Sequence, residues 1–478
     1  MSLTVKRAAI LASLMLGACT VGPDYAEPQL AVPANYLEAS QSGTAQLDRW
    51  WQGFGDAQLN TLVERSLAGN LDIEMATARI REARAFERIA GASSSPQVAA
   101  EASVTRQRIS ENAFPVPPTP GTGGGGGGLV LGEEFTTWRV GFDASWELDL
   151  FGRNRREREA AAARTGSAIW SRRDAEVSVA AEVANAYLRL RTFQARIANA
   201  EAELERQLRF EQLVEARARG GLVTGQDLEQ QKSERAVAAA EIPALQAQAR
   251  AEIHALGVLT GQSPDALAAE LAPAKAQLVP PPIPAGVPSE LLRRRPDIRA
   301  AERELAAATA DIGVAVADLY PRFSLTAAPA LVSTALGSLL EWGSRSVSAG
   351  AALDWPIFDG GARRANIEVQ NARQELAMIA YRGTVLTSLQ DVEDALGQLA
   401  GNQRKLAELE QGLSTAARAE EISRTRYRGG LVTLADVLVA RQRRLSLEEQ
   451  VIEIRGALAR DTVALVKALG GGWQEPVQ

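Results

Sequence analysis

The chain carries one sequence pattern twice, and this internal repeat limits its fold more than any other feature. Arg219–Asp227 reads RGGLVTGQD and Arg428–Asp436 reads RGGLVTLAD, at an offset of 209 residues. Earlier in each copy, Leu71–Ile73 matches Pro296–Ile298, and both are followed by a proline at the same spacing. The offset shortens after Phe114–Gly132, a Gly/Pro-rich insertion in the first copy. Each copy predicts the order helix, strand, loop, strand, long helix, tip, helix.

Composition supports long helices and excludes a nucleic-acid binder. The 478 residues are 46% hydrophobic but only 5% aromatic, and Ala, Arg, Glu, Leu and Gln are abundant, as in packed helices. The net charge of −6 is spread along the chain, so it leaves no basic footprint for nucleic acid.

The N-terminus predicts a lipoprotein signal. Lys6 and Arg7 precede Ala8–Met15, an apolar stretch too short to span a bilayer. The stretch leads to Cys19, the only cysteine, in a sequence that resembles a bacterial lipobox. We expect Cys19 to be lipidated, and Thr20 after it favours sorting to the outer membrane. The alternative is an ordinary signal with a chance cysteine.

Alternation of apolar and polar residues predicts strands with one apolar face. The four segments are Val98–Val104, Trp138–Leu148, Phe323–Leu331 and Val347–Ile357. Four strands cannot close a membrane barrel, and open edges would leave backbone groups unpaired in lipid. Three copies supply twelve strands. The sequence therefore predicts a homotrimer with a 12-stranded outer-membrane β-barrel.

The rest of each copy is helical, so the predicted fold is mainly α with a small β part. Arg155–Ala218 and Arg363–Tyr427 contain no proline, and each spans on the order of 95 Å as a helix. The shorter helices are expected at Asp56–Ser93, Asp227–Gly257, Ser289–Leu319 and Leu434–Leu469. In a trimer the helices would continue the barrel as a long α-helical periplasmic tube.

These elements divide the chain into six predicted segments. They are a signal peptide (1–18), an N-terminal anchor segment (19–55), the first repeat (56–260), a Pro/Ala-rich linker (261–288), the second repeat (289–470) and a tail (471–478).

Several motifs together resemble the outer-membrane efflux lipoproteins of the TolC-like superfamily that serve resistance-nodulation-division drug pumps. They are Cys19–Tyr25, Trp50-Trp51 with Phe54, Asn70–Ile73, Arg294–Ile298, Tyr320-Pro321 and Trp355–Phe358. The resemblance implies a trimeric duct, anchored in the outer membrane by lipid and extending into the periplasm. It also implies a periplasmic adaptor docked at the tunnel tip and an inner-membrane pump that powers export of drugs and other small toxic compounds.

The two repeated turns are the candidate adaptor contacts. They comprise Gly220, Gly221, Leu222, Val223 and Thr224 in the first repeat, and Gly429, Gly430, Leu431, Val432 and Thr433 in the second. Glycine supplies positive φ at a helix end, and threonine can start the next helix. An exposed Leu-Val pair at each turn would suit a partner helix.

Two aspartates that follow these turns are candidates for a periplasmic gate. Asp227 and Asp436 would each begin a returning helix, where the helix dipole alone favours a carboxylate. In a trimer, however, they would also form a ring of six carboxylates that selects cations. The resemblance places acidic residues of this kind in the periplasmic iris. The family pattern has an arginine and a second aspartate at the positions of Val432 and Val439. The remaining candidate for a contact that holds the gate closed is a hydrogen bond from Tyr427 to Asp227.

No catalytic constellation is present in the sequence. His254 is the only histidine. A Ser-His-Asp triad therefore has no second candidate base, and no multi-His metal site can be assembled within one chain. Gly123–Gly128 lacks the Lys-Ser/Thr of a phosphate-binding loop and predicts a flexible extracellular loop. We expect no enzyme activity, cofactor or metal. The alternatives to drug efflux are the exit duct of a type I protein secretion system and a lipid-anchored helical scaffold without a pore.

Overall fold

The computed structural model describes residues 20–37, 47–108, 110, 134–284 and 293–473. Cys19, the signal peptide and the six-glycine run lie outside these residues. The chain divides into two compact units. One is drawn from Met1–Ala26, Ala83–Arg164 and Leu305–Leu376, and the other from Glu27–Glu82, Thr165–Glu304 and Ala377–Gln478.

The helices and strands follow the predicted order in both repeats. In the first repeat and the linker they are α1 (Ala57–Gly69), α2 (Leu71–Ala92), β1 (Gln97–Arg108), β2 (Glu134–Leu148), α3 (Arg153–Arg219), α4 (Gly225–Leu259) and α5 (Ala268–Leu271). In the second repeat they are α6 (Pro296–Ala317), β3 (Arg322–Ser333), β4 (Arg345–Asp354), α7 (Ala362–Arg428) and α8 (Leu434–Ala468).

The first unit contains a four-stranded sheet in the order β1-β2-β3-β4, with every neighbouring pair antiparallel. Val140 lies opposite Ala102 on one side and Leu331 on the other, and directly opposed residues share a face of a sheet. The same register places Arg139 opposite Ser103, on the other face. Apolar side chains therefore gather on one face and polar ones on the other, as the alternation predicted.

The apolar face is not covered by the part of the chain that the structure describes. Phe142 is 58% exposed and Val347 is 78% exposed. The prediction that β4 runs to Ile357 is wrong, because the strand ends at Asp354. Pro356 just beyond has no N–H to donate to a ladder, and the indole of Trp355 donates instead to Leu319 O at 3.2 Å.

The long helices are confirmed, since α3 and α7 each run for 67 residues. The single helix predicted at Asp56–Ser93 is wrong, because the chain is extended at Asn70 with ψ of 134°. Asn70 Oδ1 caps α2 through Asp72 N at 2.9 Å, and its Nδ2 donates to Leu259 O at 3.0 Å. Similarly, the helix predicted at Ser289–Leu319 is interrupted at Arg295. None of the helices among the described residues is both long and apolar enough to cross a membrane.

The second unit has a core with a buried polar centre. Leu59, Leu62 and Val63 on α1 are fully buried. Beside them the Tyr187 hydroxyl donates to Asp56 Oδ2 at 3.0 Å, and Arg191 donates to the Tyr187 oxygen at 2.8 Å. These bonds satisfy groups that would be costly to bury unpaired, and they fix α1 against α3.

Candidate functional site: the paired helix tips

Each long helix ends in a turn that we call a tip: the first tip is residues 220–224 and the second tip is residues 429–433. The two helices end in the same way. The N–H of Leu222 donates to Arg217 O at 2.9 Å, and the N–H of Leu431 donates to Arg426 O at 3.0 Å. The turns pass through Gly221 and Gly430, with φ of 73° and 72°, a region that disfavours residues with a Cβ. The glycines therefore serve the predicted structural role at helix C-termini.

Each returning helix begins with a capping box, as expected for Thr224 and Thr433. Asp227 Oδ2 accepts from Thr224 N at 2.9 Å and from the Thr224 hydroxyl at 2.8 Å. Asp436 Oδ2 accepts from the same groups of Thr433 at 2.8 and 2.7 Å. Within the described residues, Oδ1 of neither aspartate takes part in a hydrogen bond. Each cap therefore uses one carboxylate oxygen and leaves the other open.

The environment of Asp436 keeps it ionised. Hydrogen bonds from the hydroxyl and the backbone N–H of Thr433 hold the pKa of the Asp436 carboxyl below its ordinary value. Both groups bond the charged form and so favour it. At neutral pH this exposed side chain carries a full negative charge.

Tyr427 lies in a small apolar cluster between the tips and is only 4% exposed. Its core partners are Leu434 and Val437, and the partly buried members are Phe210, Val223, Val432 and Leu438. The Tyr427 hydroxyl has no hydrogen-bond partner among the described residues. The expected link from Tyr427 to Asp227 is therefore not formed within the chain.

The leucine and the valine of each turn have different environments. Leu222 is 74% exposed and Leu431 is 76% exposed. Val223 and Val432 pack against the Tyr427 cluster, so the expectation that both members of each pair are exposed is wrong. Of these four apolar side chains, only the two leucines are exposed.

Sequence reasoning missed Arg217, which joins the two tips. Its guanidinium donates to Tyr427 O at 3.1 Å and to Arg428 O at 2.7 Å. It also lies over the Tyr427 ring, 4.7 Å from the centroid, a favourable cation–π contact. The signal was present in the repeat, since RARGGLVT and RYRGGLVT both place an arginine there.

A buried ionic network further along the helices was also missed. Glu203 on α3 accepts from Arg441 at 2.8 Å and from Arg444 at 3.0 Å, both on α8. Gln207 donates to Glu203 at 2.9 Å and accepts from Gln231 on α4 at 2.6 Å. The network connects helices of both repeats.

A family model described as outer membrane efflux protein matches residues 62–262 and 287–471 of the chain. The pyoverdine export outer membrane protein OpmQ of Pseudomonas aeruginosa is 33% identical over 471 residues, which cover 98% of this chain and 97% of that protein. Outer membrane protein OprJ of Pseudomonas aeruginosa is also 33% identical, with coverage of 98% and 96%.

A solved structure of the outer-membrane channel OprN has the same fold. It superimposes with a TM-score of 0.86 at 34% sequence identity, covering 96% of this chain and all of that one.

Proposed function

Because this chain belongs to the outer membrane efflux protein family, we propose that its paired helix tips form the gate and the adaptor contact of an export duct. The gate comprises Asp227 and Asp436, together with Tyr427 in the apolar cluster between the tips. The contact surface comprises the turns at 220–224 and 429–433, with Leu222 and Leu431 outermost.

The protein is the outer-membrane channel of a tripartite efflux system, and it provides a passive exit for small toxic compounds. It is a homotrimer that works with a periplasmic adaptor and an inner-membrane pump, and it lies in the outer membrane and extends into the periplasm. We propose that its four-stranded sheet contributes one third of a 12-stranded barrel. Members of the family are channels; we propose that this chain likewise catalyses no reaction.

One observation carries the gate assignment: both aspartates cap their helices through Oδ2 alone. A carboxylate needed only for capping could be replaced by a neutral acceptor without further effect. In a trimer, two such aspartates per chain give six carboxylates around one passage. Rings of acidic side chains select cations, and the open Oδ1 atoms are available for that purpose.

The gate is tested by Asp227→Asn combined with Asp436→Asn, measured as reversal potential in a planar bilayer under a salt gradient. Asparagine keeps an acceptor oxygen for the threonine but removes all six charges from the trimer. We expect the cation preference to fall and block by divalent cations to weaken. An unchanged reversal potential would leave these aspartates as helix caps only.

The matched control is Thr224→Ala combined with Thr433→Ala. This variant removes the hydroxyl of each capping box and keeps both carboxylates. We expect a lower melting temperature with an unchanged reversal potential. A control that loses cation selectivity as well would show that the charges alone do not determine it and that the capping geometry is also required.

A further inference from the structure

The two tips use equivalent arginines differently. Arg217 in the first repeat is fully engaged by the second tip, through Tyr427 and Arg428. Arg426 occupies the same position in the second repeat, 209 residues later. Its side chain is exposed, and it forms no hydrogen bond, ion pair or ring contact with any of the described residues. One arginine of the pair is therefore left without a partner in the single chain.

The acceptors for such an arginine are also duplicated, and neither receives a side-chain hydrogen bond from the described residues. The carbonyls bound by Arg217 belong to Tyr427 and Arg428, and their equivalents in the first repeat belong to Ala218 and Arg219. Ala218 O accepts from Gly221 N at 3.0 Å, as Tyr427 O accepts from Gly430 N at 3.0 Å. Arg219 O receives no hydrogen bond from the described residues. It is one of the orphan carbonyls that every helix C-terminus presents.

In a closed trimer the side chain of Arg426 and the carbonyls of Ala218 and Arg219 would come from neighbouring protomers and lie next to each other. Each chain contributes a first and a second tip, so the tips alternate around a three-fold ring. Within one chain, Arg217 at the first tip contacts the second tip, which is its neighbour in the ring. The next tip in the same direction around the ring is the first tip of the adjacent protomer. We propose that Arg426 of each protomer donates to the carbonyls of Ala218 and Arg219 of the partner subunit. This inference rests on the trimeric gate proposed above.

We call the contact between two neighbouring tips a seam: one seam lies within each chain and one lies between neighbouring chains. The repeats differ at one position of this contact, so the two seams differ in strength. Within a chain the guanidinium of Arg217 lies over the Tyr427 ring. Between chains Arg426 meets Ala218 of the partner subunit, which has no ring to offer. The seam between protomers thus lacks the cation–π contact and is the weaker one.

Cysteine cross-linking shows whether each seam lies within a chain or between chains. The two cysteine pairs are placed at equivalent positions of the two seams. Arg219→Cys with Arg426→Cys places thiols across the proposed seam between chains, and Arg217→Cys with Arg428→Cys places them across the seam within a chain. After treatment of the detergent-solubilised trimer with a short bismaleimide, we expect the first pair to give covalent dimers and trimers on a denaturing gel. The second pair should stay monomeric and shift in mobility. The unsubstituted protein, which retains Cys19, controls for background.

The outcomes separate this inference from the proposed function. If native mass measurement shows a trimer and the first pair yields only monomers while the second pair reacts, the contact between chains is wrong. A protein that is monomeric by mass contradicts the trimeric duct, and the inference with it.

Single-channel recording supplies an independent test. We expect Arg426→Ala to raise the leak conductance, because it removes the contact between chains. Ala218→Tyr should lower the leak, because it gives Arg426 the ring that Arg217 already has. Combining Ala218→Tyr with Arg426→Ala should abolish the gain from the tyrosine. A tyrosine effect that persists without Arg426 would overturn the proposed contact.

Discussion

Glu203 and Arg441 form a buried ion pair between the two repeats, with Arg441 Nε 2.8 Å from Glu203 Oε1 and both side chains 7% exposed. The pair belongs to α3 and α8, which are 238 residues apart in sequence at this point. Arg444 joins it at 3.0 Å and also pairs with Glu420 on α7. Three long helices therefore share one charged centre within the second unit.

Removing Glu203 should be strongly destabilising. Glu203→Ala leaves Arg441 buried without its carboxylate, and breaking a buried pair costs about 3–5 kcal/mol. We expect a clear fall in melting temperature in detergent. Glu203→Leu with Arg441→Met removes both charges and should recover most of this loss, since apolar replacement of a buried pair is often neutral. A double variant as unstable as Glu203→Ala would contradict this explanation.

The long helices and the strands could be predicted because their signals are local. Alternation in Trp138–Leu148 identified β2 and its apolar face, and proline-free periodicity identified α3 and α7 within two residues at each end. The break at Asn70 could not be predicted in the same way. Asn70 is a residue type that often caps a helix, but the helical periodicity continues through it, and its second bond, to Leu259 O, lies 189 residues away.

In the candidate site, too, features with local signals could be predicted and features that depend on distant residues could not. The turn glycines and the capping threonines were predicted from residue type and spacing alone. The role of Arg217 depends on carbonyls 210 and 211 residues away. The inward orientation of Val223 and Val432 depends on the Tyr427 cluster, which exists only once the helices pack.

Substitution of Leu222 and Leu431 should weaken recruitment of the adaptor. Both leucines are exposed on the turns, where apolar side chains can enter a partner's surface. We expect Leu222→Ser with Leu431→Ser to reduce the adaptor and pump that co-purify from native membranes, as quantified by mass spectrometry. Ile422→Ser, at an exposed position on α7 outside the turns, is the control and should leave recovery unchanged. Equal recovery with both variants would exclude the turns as the contact.

Lipidation of Cys19 remains a prediction, because this residue lies outside the described residues. The segment that follows it is held to the first unit: Arg155 donates to the Thr20 hydroxyl at 2.7 Å, and Arg156 donates to Asp24 at 2.6 Å. We therefore expect Cys19→Ser to lose the acyl chains but still to assemble as a trimer in detergent. Metabolic labelling with a radioactive fatty acid checks the first point. Absence of label on the unsubstituted protein would refute lipidation.

Asp56 should stabilise the fold in a pH-dependent way. Burial raises the pKa of this carboxyl, but hydrogen bonds from Leu59 N, the Tyr187 hydroxyl and Gln58 N outweigh that effect and lower it below 3.8. A lowered folded-state pKa gives stability that is present above the unfolded value and lost as pH falls through the folded one. We expect Asp56→Ala to cost about 1–2 kcal/mol at pH 7. The difference from the unsubstituted protein should narrow in acid, as followed by thermal melts from pH 7 to pH 3.

In contrast to Asp56, the ionised carboxylate of Asp174 should destabilise the fold. It lines a cavity of about 430 Å³ together with Arg295, Asp297 and Lys467. Burial and the neighbouring Asp297 raise the pKa of its carboxyl, and the two cations only partly offset this. A carboxyl with a raised folded-state pKa destabilises the fold while ionised, and this cost disappears as pH falls through that pKa. We expect Asp174→Asn to raise the melting temperature at pH 7, with a gain that shrinks on acidification. A lower melting temperature at pH 7 would mean that Asp174 is needed as a charge, paired with Arg295 or Lys467.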